Sequence, residues 1–149
     1  MTVGVTCCRG DIEYATDLGD IGADHLHGFF GGWPDPPTPA EHLSILRAAT
    51  HVAVGRHPDG AVVGFATAIS DGRFAAYIPL LEVLPEYRGQ GVASQLMTML
   101  LQHLRDCYMV DLACDDDVVG FYDRLGGTRS SAISWRRYDR VHPAPTAGD

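Results

Sequence analysis

Arg88, Gly89, Gln90 and Gly91 stand directly before a stretch of helical periodicity, and their types suit an anion. Glycine lets the backbone take positive φ and lets a ligand approach the main chain closely, because no Cβ is in the way. A turn of this kind exposes successive N–H groups, and the helix that follows adds partial positive charge at its N-terminus. Arg88 carries a planar cationic fork that suits phosphate oxygens. The turn reads as a pyrophosphate cradle, although ordinary glycine turns between a strand and a helix share its spacing. It is not the dinucleotide fingerprint, because Ser94 stands where a third glycine belongs. It is not a P-loop either, since no Gly-Lys-Ser/Thr follows.

Three other groups of residues bear on chemistry. Glu82 is the only carboxylate in the apolar run 74–84. Burial there raises a carboxyl's pKa toward that of a useful base, unless an arginine or backbone group simply pairs with it. Strand parity sets Glu82 opposite Tyr77 and Leu81 unless a bulge intervenes, so Tyr77 is its rival for the same face. Tyr122 is turned ~100° from Phe121 on a helix and faces either a cleft or an ordinary helix–sheet seam. Asp115, Asp116 and Asp117 look like a metal cluster. Consecutive side chains diverge, however, and acids at a helix start are commonly dipole-favoured caps, so no metal is expected.

The elements that must position these residues can be read in order. Residues 1–10 lack periodicity and are expected to fray or to form a short lead-in, with a first strand beginning at Ile12. Residues 20–32 read as a short helix capped by Asp20 and stopped by Gly31 and Gly32. A proline-rich connector follows Trp33. Thr38 as cap, Pro39 at the first helical position and Glu41 three residues after the cap open a second helix through Ala49. Two strands over 51–56 and 61–70 flank the turn His57-Pro58-Asp59-Gly60. The run 74–84 is a strand buried on both faces, with Pro79 calling for a bulge or a lost partner. Ala93, Leu96, Met97, Leu100, Leu101 and Leu104 mark an amphipathic helix over 92–106. A fifth strand at 108–114, a short helix to Leu125 and a last strand at 131–138 complete one domain over residues 1–149, with 141–149 a flexible tail.

Composition bounds the class. The 149 residues are 46% apolar and 20% charged, ordinary for one soluble domain. A formal charge of −8 argues against non-specific nucleic-acid binding and requires that an anionic ligand be drawn in by a local positive site. No apolar stretch reaches ~18 residues and no basic-then-apolar leader opens the chain, so the expected location is cytoplasmic, with no membrane partner. Cys7, Cys8, Cys107 and Cys114 form no C-x-x-C pair and are expected to be reduced.

The segment Arg88-Gly89-Gln90-Gly91-Val92-Ala93, after a strand ending in Val83-Leu84-Pro85, resembles the acetyl-CoA loop of the GNAT superfamily of N-acetyltransferases. It meets the family pattern Gln/Arg-x-x-Gly-x-Gly/Ala at every fixed position. Phe121-Tyr122-Asp123-Arg124-Leu125-Gly126 resembles the family's Phe-Tyr-x-x-x-Gly-Phe segment, with Gly127 a departure at its end. The resemblance implies an α/β chain of α+β layout in the GNAT fold. That means a mixed, mostly antiparallel sheet of six to seven strands flanked by about four helices. It also implies a splay between the fourth and fifth strands, here 74–84 and 108–114.

The resemblance also implies acetyl-CoA as co-substrate and direct acetyl transfer to a primary amine, with a small molecule expected before a peptide N-terminus or lysine. Leu81, Glu82 and Val83 would meet the pantetheine arm, and their backbone N–H groups would stabilise the oxyanion. Arg88, Gly89, Gln90, Gly91, Val92, Ala93 and Ser94 would hold the pyrophosphate. Tyr122 would protonate the departing thiolate, and Glu82 or a water would serve as base. Phe29, Phe30, Trp33 and Tyr77 would face the acceptor, or the aromatics would pin a loop to the core. Asp115 occupies the place of a family asparagine that contacts CoA, and its charge opposes an anionic ligand. A homodimer is compatible with such a domain. Two other functions remain: a catalytically silent acyl-CoA-binding or sensor module, and an interaction protein that uses Phe29, Phe30 and Trp33 as a patch.

Overall fold

The computed structural model describes residue 4 and residues 6–142. Six strands form one sheet in chain order: β1 (Thr6–Arg9), β2 (Ile12–Ala15), β3 (His51–Arg56), β4 (Val62–Ser70), β5 (Ala75–Val83) and β6 (Met109–Asp111). Each neighbouring pair is antiparallel except β5 and β6, which run parallel. Three α-helices accompany the sheet among the described residues: α1 (Pro39–Ala48), α2 (Val92–His103) and α3 (Val119–Arg124). The layout is a mixed α+β fold.

Helix α1 begins as its residues dictate. Thr38 Oγ1 accepts from Glu41 N at 3.2 Å, and Pro39 takes the first helical position, where a missing N–H costs nothing. Leu43 and Leu46 face Val52, Val54, Val62 and Phe65 on one side of the sheet. Helix α2 covers the other side. Leu96, Met97 and Leu100 are fully buried against Ala53, Ala66, Ala68 and Ile78. Each such side chain contributes ~1.5–3 kcal/mol relative to exposure.

Gly64 governs how closely α2 approaches. A Cβ there would sit 3.0 Å from Leu96 Cδ1, 3.1 Å from Val92 Cγ1 and 3.3 Å from Glu82 O, so the first turns of α2 lie close on β4 and a larger residue would press on both side chains.

Strand β5 carries the central irregularity. Thr67 pairs with Leu80 and Ile69 with Tyr77, so two steps on β4 oppose three on β5. The extra residue lies at Ile78 and Pro79, the place where proline called for a bulge. The bulge reverses the alternation. Ala76 and Ile78 pack with α2, and so do Leu81 and Val83, whereas Leu80 packs with the α1 cluster. Tyr77 and Glu82 therefore share the face turned away from α2, against the simple parity that set them on opposite faces.

Pairing with β6 stops at Tyr77 and Asp111, although β5 continues to Val83. The two parallel strands separate there, and the edge of β5 beyond Tyr77 has no strand beside it among the described residues.

Other expectations are corrected. Residues 20–32 do not form an α-helix; they contain a single 3-10 turn, Ala23–His25. Gly28 at φ 89° and Phe30 at φ 60° break the right-handed path, and Asp20 pairs with Arg56 instead of capping. Residues 6–9 are paired as β1 and do not fray. The fifth strand is three residues long, and the carboxylate of Asp115 makes no cap hydrogen bond. The strand expected at 131–138 is absent: this segment lies outside the sheet and is exposed throughout. A strand needs a neighbouring edge for its N–H and C=O groups, and the segment pairs with none. Most of the expected tail falls outside the described residues.

Gly64→Ala should lower stability by ~1–3 kcal/mol through overpacking against Leu96 and Val92. Urea unfolding checks this, and an unchanged midpoint would mean that α2 is free to shift.

Candidate functional site

The site begins where β5 ends. Leu84 N donates to Val63 O at 2.9 Å, which keeps the strand's exit on the sheet. Pro85–Tyr87 then makes a 3-10 turn, and Gly89 and Gly91 both take positive φ, 75° and 82°. Gly91 is the residue before the first turn of α2 and lies in the left-handed region that glycine adopts without strain. A Cβ on Gly89 or Gly91 would meet nothing within 4 Å, so both open onto free space. The first N–H groups of α2 have no partner within the helix, and Gly91 provides no side chain to cap them. Donors and dipole thus point at an open, glycine-lined surface, which fits a phosphate group.

Arg88 is placed differently from the expectation. Its Nε donates to Val83 O at 3.1 Å, so the guanidinium stem is turned back along the strand end. The Gln90 side chain likewise closes the turn by donating to Glu86 O at 3.1 Å. Val92 is buried and offers only its backbone, whereas Ala93 and Ser94 are half-buried.

Below the point where β5 and β6 part lies a cavity of about 800 Å³. Tyr77, Ile78, Met97, Leu101, Cys114 and Tyr122 are among its walls, and residues 127–134 close one side. Helix α3 positions Tyr122. Its carbonyl accepts from Leu125 N and Gly127 N at 3.0 and 3.1 Å, with Gly126 at φ 91° completing the helix end. Phe121 meets the Tyr122 ring edge-on at 5.0 Å. Burial, with a smaller push from Cys114, raises the Tyr122 hydroxyl above its ordinary pKa, so it keeps its proton at neutral pH.

Glu82 is tied to the connector. Its Oε1 accepts the Phe30 N–H at 2.8 Å, across 52 residues of sequence. Burial raises its pKa, while that N–H and the charge of Arg88 pull the other way. Phe30 is held at φ 60°, rare for a bulky residue, and the bond to Glu82 is one of the contacts that maintain it. The Phe30 ring is buried, and the Phe29 ring packs edge-on against Phe65 at 5.2 Å. These two rings are therefore chiefly core, and any part of Phe30 in an acceptor wall passes through its backbone. Trp33 stays 45% exposed, edge-on to Phe30 at 5.1 Å, and Tyr77 is 41% exposed.

Glu82 is thus bonded to the Phe30 backbone, against whose ring Trp33 packs, and Tyr77 and Tyr122 both border the one cavity. Asp115 is exposed, as are Asp116 and Asp117. No group of three or more His, Cys, Asp or Glu side chains among the described residues is arranged to hold a metal.

Two residues escaped the sequence reading. Cys114 lies beside Tyr122, a proximity that strand and helix spacing do not reveal. His42 is buried within the rings of Phe29, Phe30 and Phe65, its centroid 4.4 Å from that of Phe65. The Nε2 atom of His42 has no hydrogen-bond partner, and burial lowers its pKa to about 4. Helical spacing puts His42 on the same face as the buried Leu46, four residues on, but does not reveal the rings around it.

With this geometry in place, comparison with known proteins is informative. Residues 19–127, most of the chain, match the model of the Acetyltransferase (GNAT) family. A crystal structure from Deinococcus radiodurans R1, described as a candidate acetyltransferase, is 50% identical. It superposes with a TM-score of 0.88 over 91% of this chain and 95% of that one. The uncharacterized N-acetyltransferase ycf52 of Gracilaria tenuistipitata var. liui is 39% identical over 67 residues, 44% of this chain and 37% of that protein. The ycf52 protein of Pyropia yezoensis is 29% identical over 99 residues, 64% of this chain and 57% of that protein. The chain thus matches less than two thirds of the length of either curated relative.

His42 generates a pH prediction. The folded protein keeps it neutral down to about pH 4, whereas an unfolded chain binds the proton near 6.5. Its contribution is whole above pH 6.5 and falls as pH drops toward 4, by up to ~3 kcal/mol. His42→Phe should therefore lose less stability than wild type between pH 7 and pH 4 in urea titrations. Parallel pH profiles would show that His42 is not held neutral.

Proposed function

The chain belongs to the GNAT acetyltransferase family, and on that premise we propose that it transfers an acetyl group from acetyl-CoA to a primary amine of a small molecule. The observation that carries this reading is the release of β5 from β6 beyond Tyr77, between the glycine turn before α2 and the Tyr122 hydroxyl. Family members use acetyl-CoA as co-substrate, and the residues present fit it. Gly89, Gly91 and the free N–H groups at 92–94 would take the pyrophosphate, and the open edge of β5 near 81–83 would take the pantetheine amides.

Each side chain then has a task. Glu82, raised by burial, accepts a proton from the amine, which must be neutral to attack. N–H groups on the open edge of β5 stabilise negative charge on the reacting carbonyl oxygen. Tyr122, protonated at neutral pH, delivers a proton to the departing sulfur. Trp33 and Tyr77, both partly exposed, frame the acceptor. Arg88 acts mainly by bracing the turn through Val83 O.

A thiol-release assay with acetyl-CoA, run across small amines, peptides and lysine, tests the reaction class. Small amines should give the highest kcat/KM. Tyr122→Phe removes only the hydroxyl and should lower kcat about 10²–10⁴-fold with little change in CoA affinity. An unchanged kcat, with chemistry limiting, would remove Tyr122 from the mechanism. Tight CoA binding without turnover on any amine would favour a silent acyl-CoA module.

A further inference from the structure

The connector 27–38 packs on the α1 side of the sheet and traps a polar atom beneath it. His42 is 1% exposed, and its Nε2 has no hydrogen-bond partner. Its ring lies on that of Phe65, the cross-strand partner of Glu82. Cross-strand partners share a face, so His42 and Glu82 belong to one layer of the protein. An unpaired nitrogen in such a layer lowers stability and calls for an explanation.

A cavity of about 90 Å³ lies beside it, between the connector and the start of α1. Phe29, Phe30, Pro37, Pro39 and His42 are among its walls. At ~30 Å³ per water it has room for roughly three waters, or for a ligand group of that size. Phe30 connects this cavity to Glu82, because its N–H donates to Glu82 Oε1 at 2.8 Å while the residue itself forms part of the wall. The connector is also seated on the end of β5, where a Cβ on Gly28 would come 3.2 Å from Leu84 Cδ2. A molecule lying along residues 28–30 thus has Glu82 toward one end and His42 toward the other.

The surroundings select the group at the His42 end. Phenylalanine and proline suit carbon and disfavour a bare charge. Burial lowers the pKa of His42 to about 4, so the ring is neutral at pH 7 and gives a carboxylate no countercharge. A neutral imidazole has one donor and one acceptor nitrogen, and the tautomer decides which of them is Nε2. A hydroxyl both donates and accepts, so it satisfies Nε2 in either tautomer. An ammonium only donates, and a carboxylate only accepts.

Resting on the acetyl-transfer reading above, we propose that the acceptor is a compact amino alcohol, with its amine at Glu82 and its hydroxyl bonded to His42 Nε2 in the cavity under the connector. His42 is then the residue that sets acceptor specificity. Its Nε2 is closed off from solvent, so the connector shifts as the hydroxyl enters. Phe30, held at φ 60°, is the strained residue that takes up the shift.

The test measures thiol release from acetyl-CoA with ω-amino alcohols of two to six carbons and with n-alkylamines of matched length. Wild type should prefer one amino alcohol over its alkylamine about tenfold in kcat/KM, chiefly through KM, as one neutral hydrogen bond implies. His42→Phe keeps an aromatic ring in the cage and should bring that ratio to about one. His42→Gln retains a hydrogen-bonding amide and should restore most of the preference. Binding is read separately from the NMR signal of the His42 ring in wild type. With CoA present, the preferred amino alcohol should shift that signal and the alkylamine should not. Turnover with no preference for the hydroxyl, and a His42 signal that no amine moves, overturns the hydroxyl site and leaves acetyl transfer standing. No turnover of any amine, with a His42 shift confined to amino alcohols, overturns the acetyl-transfer reading and retains the site. A His42 signal that no amine moves, without turnover, overturns both.

Discussion

Pro79 has no N–H to give to a sheet, and the geometry of β5 follows from that. Together with Ile78 it forms the bulge that sets three steps of β5 against two of β4. The ladder to β6 ends at Tyr77, immediately before it. One local constraint thus has two consequences. The edge of β5 is left open toward β6, and every residue beyond the bulge changes face. Leu81 and Val83 turn into the α2 core, while Glu82 turns toward the connector and meets the Phe30 N–H. A regular strand would have buried the carboxylate among the leucines of α2, where ionisation is costly.

Glycine then sets the other end of the site. Gly64 allows the start of α2 to rest on β4, and Gly91 lets the chain enter that helix through a left-handed residue with no side chain over the free N–H groups. The protein as a whole is acidic, at −8, so an anion at this turn would be held by local N–H groups against the general field. Arg88 contributes by holding the strand end and by its charge near Glu82. Burial raises the pKa of both groups above the ordinary range, the Tyr122 hydroxyl in the cavity wall and the Glu82 carboxyl beside the connector.

The parts legible in the sequence were those governed by local rules. The Thr38-Pro39 start, the stripe of α2, the His57–Gly60 turn and the bulge at Pro79 all follow from neighbouring residues. The family turn at 88–93 was equally plain, because its glycines are needed for backbone shape. What sequence left hidden depended on distant partners. Residues 20–32 carry a helical pattern that Gly28 and the tie from Phe30 to Glu82 override. Arg88 finds a carbonyl five residues back, which the presence of an arginine does not announce. The segment 131–138 has the alternation of a strand yet pairs with no edge among the described residues. His42 is set in an aromatic cage assembled from α1, β4 and the connector, and no spacing rule brings those three together.

The most direct test of this account is calorimetric titration of CoA into wild type, Gly91→Asn and Gly91→Asp. Asparagine and aspartate tolerate the left-handed conformation about equally and have nearly the same size, so the pair isolates charge at the turn. If the free N–H groups before and within the first turn of α2 hold the pyrophosphate, Gly91→Asn should weaken binding and Gly91→Asp should abolish it, with both variants folded. Equal CoA affinity in all three proteins would contradict the account and place the cofactor elsewhere.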